Sequence, residues 1–166
     1  TNNLGDGPNE MRDNLPTITL GTGRTATAIS TGTQYACAIL DNASVKCWGT
    51  NTFGGLGIGD TTTMGDDSGE MGDNLPVVDL GTGRTATAIS AGSQYTCAIL
   101  DNASVKCWGG GSSGVLGQGN TNNLGDGPNE MRDNLPTITL GTGRTATAIS
   151  TGTQYACAIL DNASVK

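Results

Sequence analysis

The chain has 166 residues and a formal charge of −7, with eight Lys and Arg scattered singly. That pattern excludes the clustered basic surface that nucleic acid or an anionic membrane requires. No apolar run approaches the ~18 residues of a membrane span, and a chain with no His and 27 Gly has few side chains for acid–base chemistry or for filling a core.

Residues 121–166 repeat residues 1–46 without a change, and 1–60 match 61–120 at 40 of 60 positions. The organisation is therefore a unit at 1–60, a second at 61–120 and a shortened third at 121–166, expected to be a fragment of a longer tandem array. A period of this size points to a propeller, a solenoid or an open array.

Each unit opens on an acidic, glycine-rich stretch, TNNLGDGPNEMRDN at 1–14 and TTTMGDDSGEMGDN at 61–74, with no helical or strand period. It reads as a surface loop. Leu15-Pro16 then begins a short strand, Thr17–Leu20, with proline at the position where a ladder bond is not lost. Gly21-Thr22-Gly23-Arg24 turns the chain into a second strand, Thr25–Ser30. After Thr31-Gly32-Thr33 come two more, Tyr35–Leu40 and Ser44–Trp48, joined by Asp41-Asn42-Ala43. A glycine-spaced connector, NTFGGLGIGD or GSSGVLGQGN, closes the unit. Four short β segments with frequent turns and no amphipathic helix give an all-β class of tandem four-stranded blades of about 60 residues.

In the last hairpin a three-residue loop sets Ile39 against Val45 and Cys37 against Cys47. Facing Cys on neighbouring antiparallel strands lie near disulfide range. The expected bonds are Cys37–Cys47 and Cys97–Cys107, with reduced core thiols as the alternative. Cys157 corresponds to Cys37, and its partner would fall one residue past Lys166, so the odd count of five follows from the period. The ten-residue spacing, without a nearby His or second Cys, is not that of a zinc or redox pair. Regular bonded pairs in a thin-cored chain imply an oxidising, extracellular compartment. Asn42-Ala43-Ser44, with its copies at Asn102 and Asn162, is an acceptor for Asn-linked sugar at an exposed hairpin tip.

The order A-x-x-I-S-x-G-x-x-Y-x-C-A-I-L-D-N-A-S-V-K-C-W-G-x-N-x-x-G-x-L-G-x-G, from Ala26 to Gly59, resembles the repeat of the regulator of chromosome condensation family. The resemblance implies β-propeller blades, one four-stranded blade per repeat, and the Cys pair makes the chain more similar to secreted, disulfide-bearing variants. Two departures stand out. Gln34-Tyr35 replaces a His common in the family, and Ala43 replaces the usual turn Gly. An acidic stretch longer than the usual link between blades favours an open array or superhelix over a closed ring.

Other candidate sites are weighed against simpler roles. Asp6, Glu10 and Asp13, with Asp66, Asp67, Glu70 and Asp73, offer oxygen ligands for calcium, but not at EF-hand spacing, so a solvated acidic loop is preferred and no cofactor is expected. Arg24, Arg84 and Arg144 are expected to pair weakly with these acids. Trp48, Trp108, Tyr35, Tyr95 and Tyr155 are expected to fill the core rather than line a sugar site. No nucleophile stands beside a base, so no enzyme is expected. Unchanging repeats, staples and sugar then suggest a structural array: an extracellular glycosylated fibre or surface appendage built on copies of itself or neighbouring repeats. The alternative is a closed propeller serving as a protein- or glycan-binding platform.

Overall fold

The computed structural model describes residues 7–166. Three antiparallel sheets follow one another. The first holds β1 (Ala26–Thr31), β2 (Tyr35–Leu40) and β3 (Val45–Gly49), and the second β4 (Ala86–Ala91), β5 (Tyr95–Leu100) and β6 (Val105–Gly109). The third holds β7 (Ala146–Thr151) and β8 (Ala156–Leu160). Single 3₁₀ turns, such as Arg12–Asn14 and Gly72–Asn74, are the only helical pieces among the described residues. The fold is all-β, in open sheets arranged in tandem.

The hairpin register is the one the turn predicts: Cys37 faces Cys47 and Ile39 faces Val45, repeated as Cys97 with Cys107 and Ile99 with Val105. The segment Thr17–Leu20 behaves differently from expectation. Instead of a regular strand opening its own unit, its second-unit copy crosses to the sheet before it. Val77 bridges Lys46, and the Val78 N–H donates to the Val45 carbonyl at 2.8 Å. Ile138 donates to Val105 in the same way. Each complete sheet thus has three regular strands and takes its fourth edge from the following unit. Sequence unit and structural blade are out of phase, because a repeat period fixes length but not where a blade begins.

Blades stack through their faces. β1 lies beside β4 and β4 beside β7, and the core sits between sheets. One cluster joins Cys37, Val45 and Cys47 to Leu80, Leu100 and Trp108. The next joins Cys97, Val105 and Cys107 to Leu140, Ala146 and Leu160. Because the middle sheet is covered on both faces, all six residues of β5 are buried, whereas β1 is largely exposed. The sulphurs of Cys37–Cys47 and Cys97–Cys107 lie 2.10 and 2.00 Å apart inside these cores, while Cys157 is exposed.

The turn residue Ala43 and its copies Ala103 and Ala163 have φ of 61°, 61° and 62°. This left-handed backbone costs an L residue with a Cβ about 1 kcal/mol that glycine avoids. We expect Ala103→Gly to stabilise the chain by about 0.5 kcal/mol at most, net of the glycine's greater unfolded-state entropy, in a denaturant titration at unchanged m-value.

Candidate functional site

The two ends of the sheets differ in kind. At one end lie the hairpin tips, with the same residues in every unit. Asn42 Oδ1 accepts from the Ser44 N–H at 3.2 Å and the Ser44 hydroxyl at 2.7 Å, and the arrangement recurs at Asn102 and Asn162. The Nδ2 amides face solvent with no hydrogen bond among the described residues. The expected pairing of arginines with the acidic loop is not what forms. Arg24, Arg84 and Arg144 reach Asp41, Asp101 and Asp161 at 3.4, 3.3 and 3.4 Å, since antiparallel pairing brings the start of each first strand beside the hairpin turn. These half-exposed pairs contribute little stability.

The loop acids have other partners. Glu70 Oε2 accepts from the N–H groups of Gly65, Asp66 and Asp67, and Glu130 accepts from Gly125 and Gly127. Asp73 takes the hydroxyl of Thr22 at 2.6 Å and its N–H at 2.8 Å, tying one unit's loop to the preceding unit's turn, and Asp133 does the same with Thr82. No three His, Cys, Asp or Glu gather around a metal position among the described residues, and Asp6 lies outside them. Hydrogen bonds from the threonine hydroxyl, then its N–H, hold Asp73 and Asp133 below the ordinary aspartate range. A depressed carboxyl contributes stability that is complete above its unfolded value, near ~4, and is lost as pH falls through the folded one. Asp73→Asn with Asp133→Asn should therefore flatten the acid limb of a stability–pH profile below about pH 4 while leaving its slope between pH 6 and 8 unchanged.

Two internal cations were not legible beforehand. Lys46 and Lys106 are buried in the sheets. Lys46 Nζ donates to the Gly72 carbonyl of the unit that follows, and Lys106 Nζ to the Leu80 carbonyl of its own unit and the Arg132 carbonyl of the next. Burial lowers the Lys106 pKa, against the pull of Asp133 and Asp79.

The other end carries the groove. At the Gly32 turn the backbone must run close to a ring and to the next blade. A Cβ on Gly32 would collide with Tyr35 and come within 2.5 Å of the Gly92 carbonyl. With that space free, Tyr35 lies over the turn and donates its hydroxyl to the Tyr95 carbonyl at 2.5 Å, beside Thr96 Oγ1 at 3.0 Å. Burial, the largest influence, pushes its pKa up to about 12, so the phenol stays protonated and structural. Thr96 in turn donates to the Gly55 carbonyl. The connector is folded by buried Asn51, which accepts from the Leu56 N–H and donates to the Asp60 carbonyl.

What results is a cleft between the first two blades with a cavity of about 60 Å³, walled by Gln34, Thr50, Thr52, Phe53, Ser93 and Gln94. None of the residues lining it is charged, in a chain of net charge −7. Gln34 and Gln94 are held by their carbonyls, which accept from Thr50 and Gly110, and their side chains are exposed. Between residues 20 and 49 the first two units differ at three positions, Thr31/Ala91, Thr33/Ser93 and Ala36/Thr96, all at this end. The connector follows with four differences in a row, Thr50-Asn51-Thr52-Phe53 against Gly110-Gly111-Ser112-Ser113. Of the aromatic residues expected in the core, Trp108, Tyr35 and Tyr95 are buried there, Trp48 is half-buried and Tyr155 is exposed.

Comparison with known proteins agrees with this geometry. The model of the regulator of chromosome condensation (RCC1) repeat matches residues 26–54 and 86–115. Among solved structures, Prp20p from Saccharomyces cerevisiae is similar at 18% identity with a TM-score of 0.59, covering 84% of this chain and 32% of that one. Yeast RCC1 (Prp20) bound by Kap60 is similar at 16% identity and a TM-score of 0.57, with 84% and 31% covered. The CRINKLY WD40 ectodomain of the Arabidopsis thaliana receptor kinase ACR4 is similar at 22% identity and a TM-score of 0.52, with 89% and 40% covered. The chain spans between about a third and two-fifths of the length of these structures. The chain thus carries two matches to the RCC1 repeat, at residues 26–54 and 86–115, and shares the fold of these RCC1-type structures.

Proposed function

We propose that these blades form a protein-binding platform whose contact surface is the groove end. The observation that carries the reading is where the units differ. Residues 37–49, which form the hairpin and its tip, are the same in 97–109, while the uncharged groove wall from Thr50 to Phe53 changes. Variable loops on a common frame are the arrangement by which β-blade proteins present different contacts. Partner binding by the yeast RCC1 captured with Kap60 supports the class of function, without naming a partner for this chain.

The proposal includes an extracellular setting, bonded Cys37–Cys47 and Cys97–Cys107, and Asn-linked sugar at Asn42, Asn102 and Asn162. Support comes from sulphurs at bonding distance, from the likeness to a plant receptor kinase ectodomain, and from sequon amides free at exposed tips. Sugar at the hairpin tips would leave the opposite, groove end open. On secretion from a eukaryotic cell the chain should lose mass when treated with a glycosidase specific for Asn-linked sugar.

Panning a random peptide library on the disulfide-intact chain tests the platform. Selected peptides should lose at least tenfold in affinity to Phe53→Ser with Gln94→Ala and bind Arg84→Ala normally. Peptides that respond to Arg84→Ala alone would place the contact at the wrong end and overturn the reading.

A further inference from the structure

The cleft between the first two blades is held in shape by the chain itself. The Gln34 carbonyl accepts from the Thr50 N–H and the Gln94 carbonyl from the Gly110 N–H, each at 2.9 Å, so both turns are pinned to the connectors. Across the rim the Thr33 hydroxyl donates to Ser93 Oγ at 3.1 Å, tying one blade's turn to the next. Below, the connector runs close to the second turn: a Cβ on Gly55 would sit 3.1 Å from the Gln94 carbonyl oxygen and 3.7 Å from the Tyr35 ring. The polar side chains of the floor already have partners, Tyr35 through its hydroxyl and buried Asn51 through both ends of its amide.

Groups still free to bond lie at the mouth. Among the described residues the side-chain amides of Gln34 and Gln94 and the hydroxyls of Thr50 and Thr52 make no hydrogen bond, and half-buried Phe53 stands beside them. A glutamine amide offers a donor and an acceptor, the complement of what a peptide unit offers. Charge, polarity and size then define what fits. No Asp, Glu, Lys or Arg lines the cleft, so an ionised group entering it would give up water without gaining a counter-ion. An alkyl group would leave amides and hydroxyls facing it unbonded. A volume of about 60 Å³ holds roughly four to six water molecules. That is the bulk of a Thr, Asn or Gln side chain, and well under that of an indole or a sugar ring.

We propose that the groove takes an uncharged segment of a partner protein, with one Thr, Asn or Gln side chain in the cavity. Gln34 and Gln94 bond the main chain on either side of that anchor, and Phe53 covers its aliphatic carbons. The inference rests on the platform reading and names the partner chemistry which that reading leaves open. Binding of this kind ignores salt in spite of the chain's charge of −7, because screening acts only on charges that take part.

The test starts from peptides panned on the disulfide-intact chain and lost on Phe53→Ser with Gln94→Ala, so that groove binding is established first. A library that yields no such peptide overturns the platform reading and this inference with it. Every later result bears on the inference alone. Aligned, the selected peptides should share one position held by Thr, Asn or Gln with no charged residue beside it. Their affinity should change less than about twofold between roughly 50 and 500 mM NaCl. Exchanging the anchor Thr for Val, or Asn for Leu, should weaken binding about threefold to tenfold, the worth of one neutral hydrogen bond. Gln94→Glu keeps the carbonyl that accepts from Gly110 and places a carboxylate at the mouth, so a second panning on it should turn to Lys or Arg anchors. Charged or aromatic anchors on the parent chain, an affinity that falls about tenfold over that salt range, or unchanged selection by Gln94→Glu would each overturn the inference. So would a neutral oligosaccharide that displaces the peptides from the parent chain and is itself lost on Phe53→Ser with Gln94→Ala.

Discussion

Trp108→Ala should cost about 3–5 kcal/mol of unfolding free energy, and Trp48→Ala, in an identical stretch of sequence, well under half of that. Trp108 is fully buried between the first two blades and donates its indole N–H to the Gly55 carbonyl at 3.0 Å. The connector makes room for it: a Cβ on Gly57 would sit 2.5 Å from Trp108 Nε1. Removing the indole empties a space walled by backbone, which relaxes poorly, and strands the Gly55 carbonyl with only the Thr96 hydroxyl. Trp48 is half-buried, so its loss opens less cavity and returns less apolar surface to water. Paired urea titrations read the contrast. Equal losses for both would mean that the two blades are packed alike and that the junction is not built around Trp108.

Replacing Cys97 and Cys107 together by Ala should cost about 2–3 kcal/mol, the loop-entropy value for a bridge closing roughly ten residues. For a chain of this size that lowers the melting temperature by about 4–12 °C. The Cys side chains are fully buried and lie in the core shared with the third blade, so the effect should spread to β7 and β8 rather than stay in the hairpin. Intact mass under denaturing conditions supplies the control, with a gain of two hydrogens per pair on reduction. If the double variant melts with the parent, the sulphurs contribute no covalent restraint and the extracellular setting loses its main support.

The hairpin was the most legible part of the sequence. Its register follows from one turn length and a period of two, and local rules of that kind survive folding, as Cys37 facing Cys47 and the left-handed Ala43 illustrate. Junctions between units were much less so. Val77 and Val78 read as the opening strand of their own unit, yet they edge the preceding sheet, because periodicity carries no phase. Arg24 had acids nearby in sequence, but strand pairing brought Asp41 closer. Lys46 and Lys106 find carbonyls of the following unit for their ammonium groups, partners that no pattern in the strand announces. The groove end was visible only as a run of differences between units. It became a candidate site when the fold set Gln34, Phe53 and Gln94 around one cleft.

That each blade is finished by the unit after it is tested most directly by native-state amide exchange resolved residue by residue by NMR. The amides of Val78 and Ile138, which donate to the Val45 and Val105 carbonyls, should be protected to within about tenfold of the central strand β5, while the amide of exposed Ile18 exchanges at least a hundredfold faster. Equal protection of Ile18, Val78 and Ile138 would make each 60-residue unit a self-contained blade and contradict the out-of-phase stack.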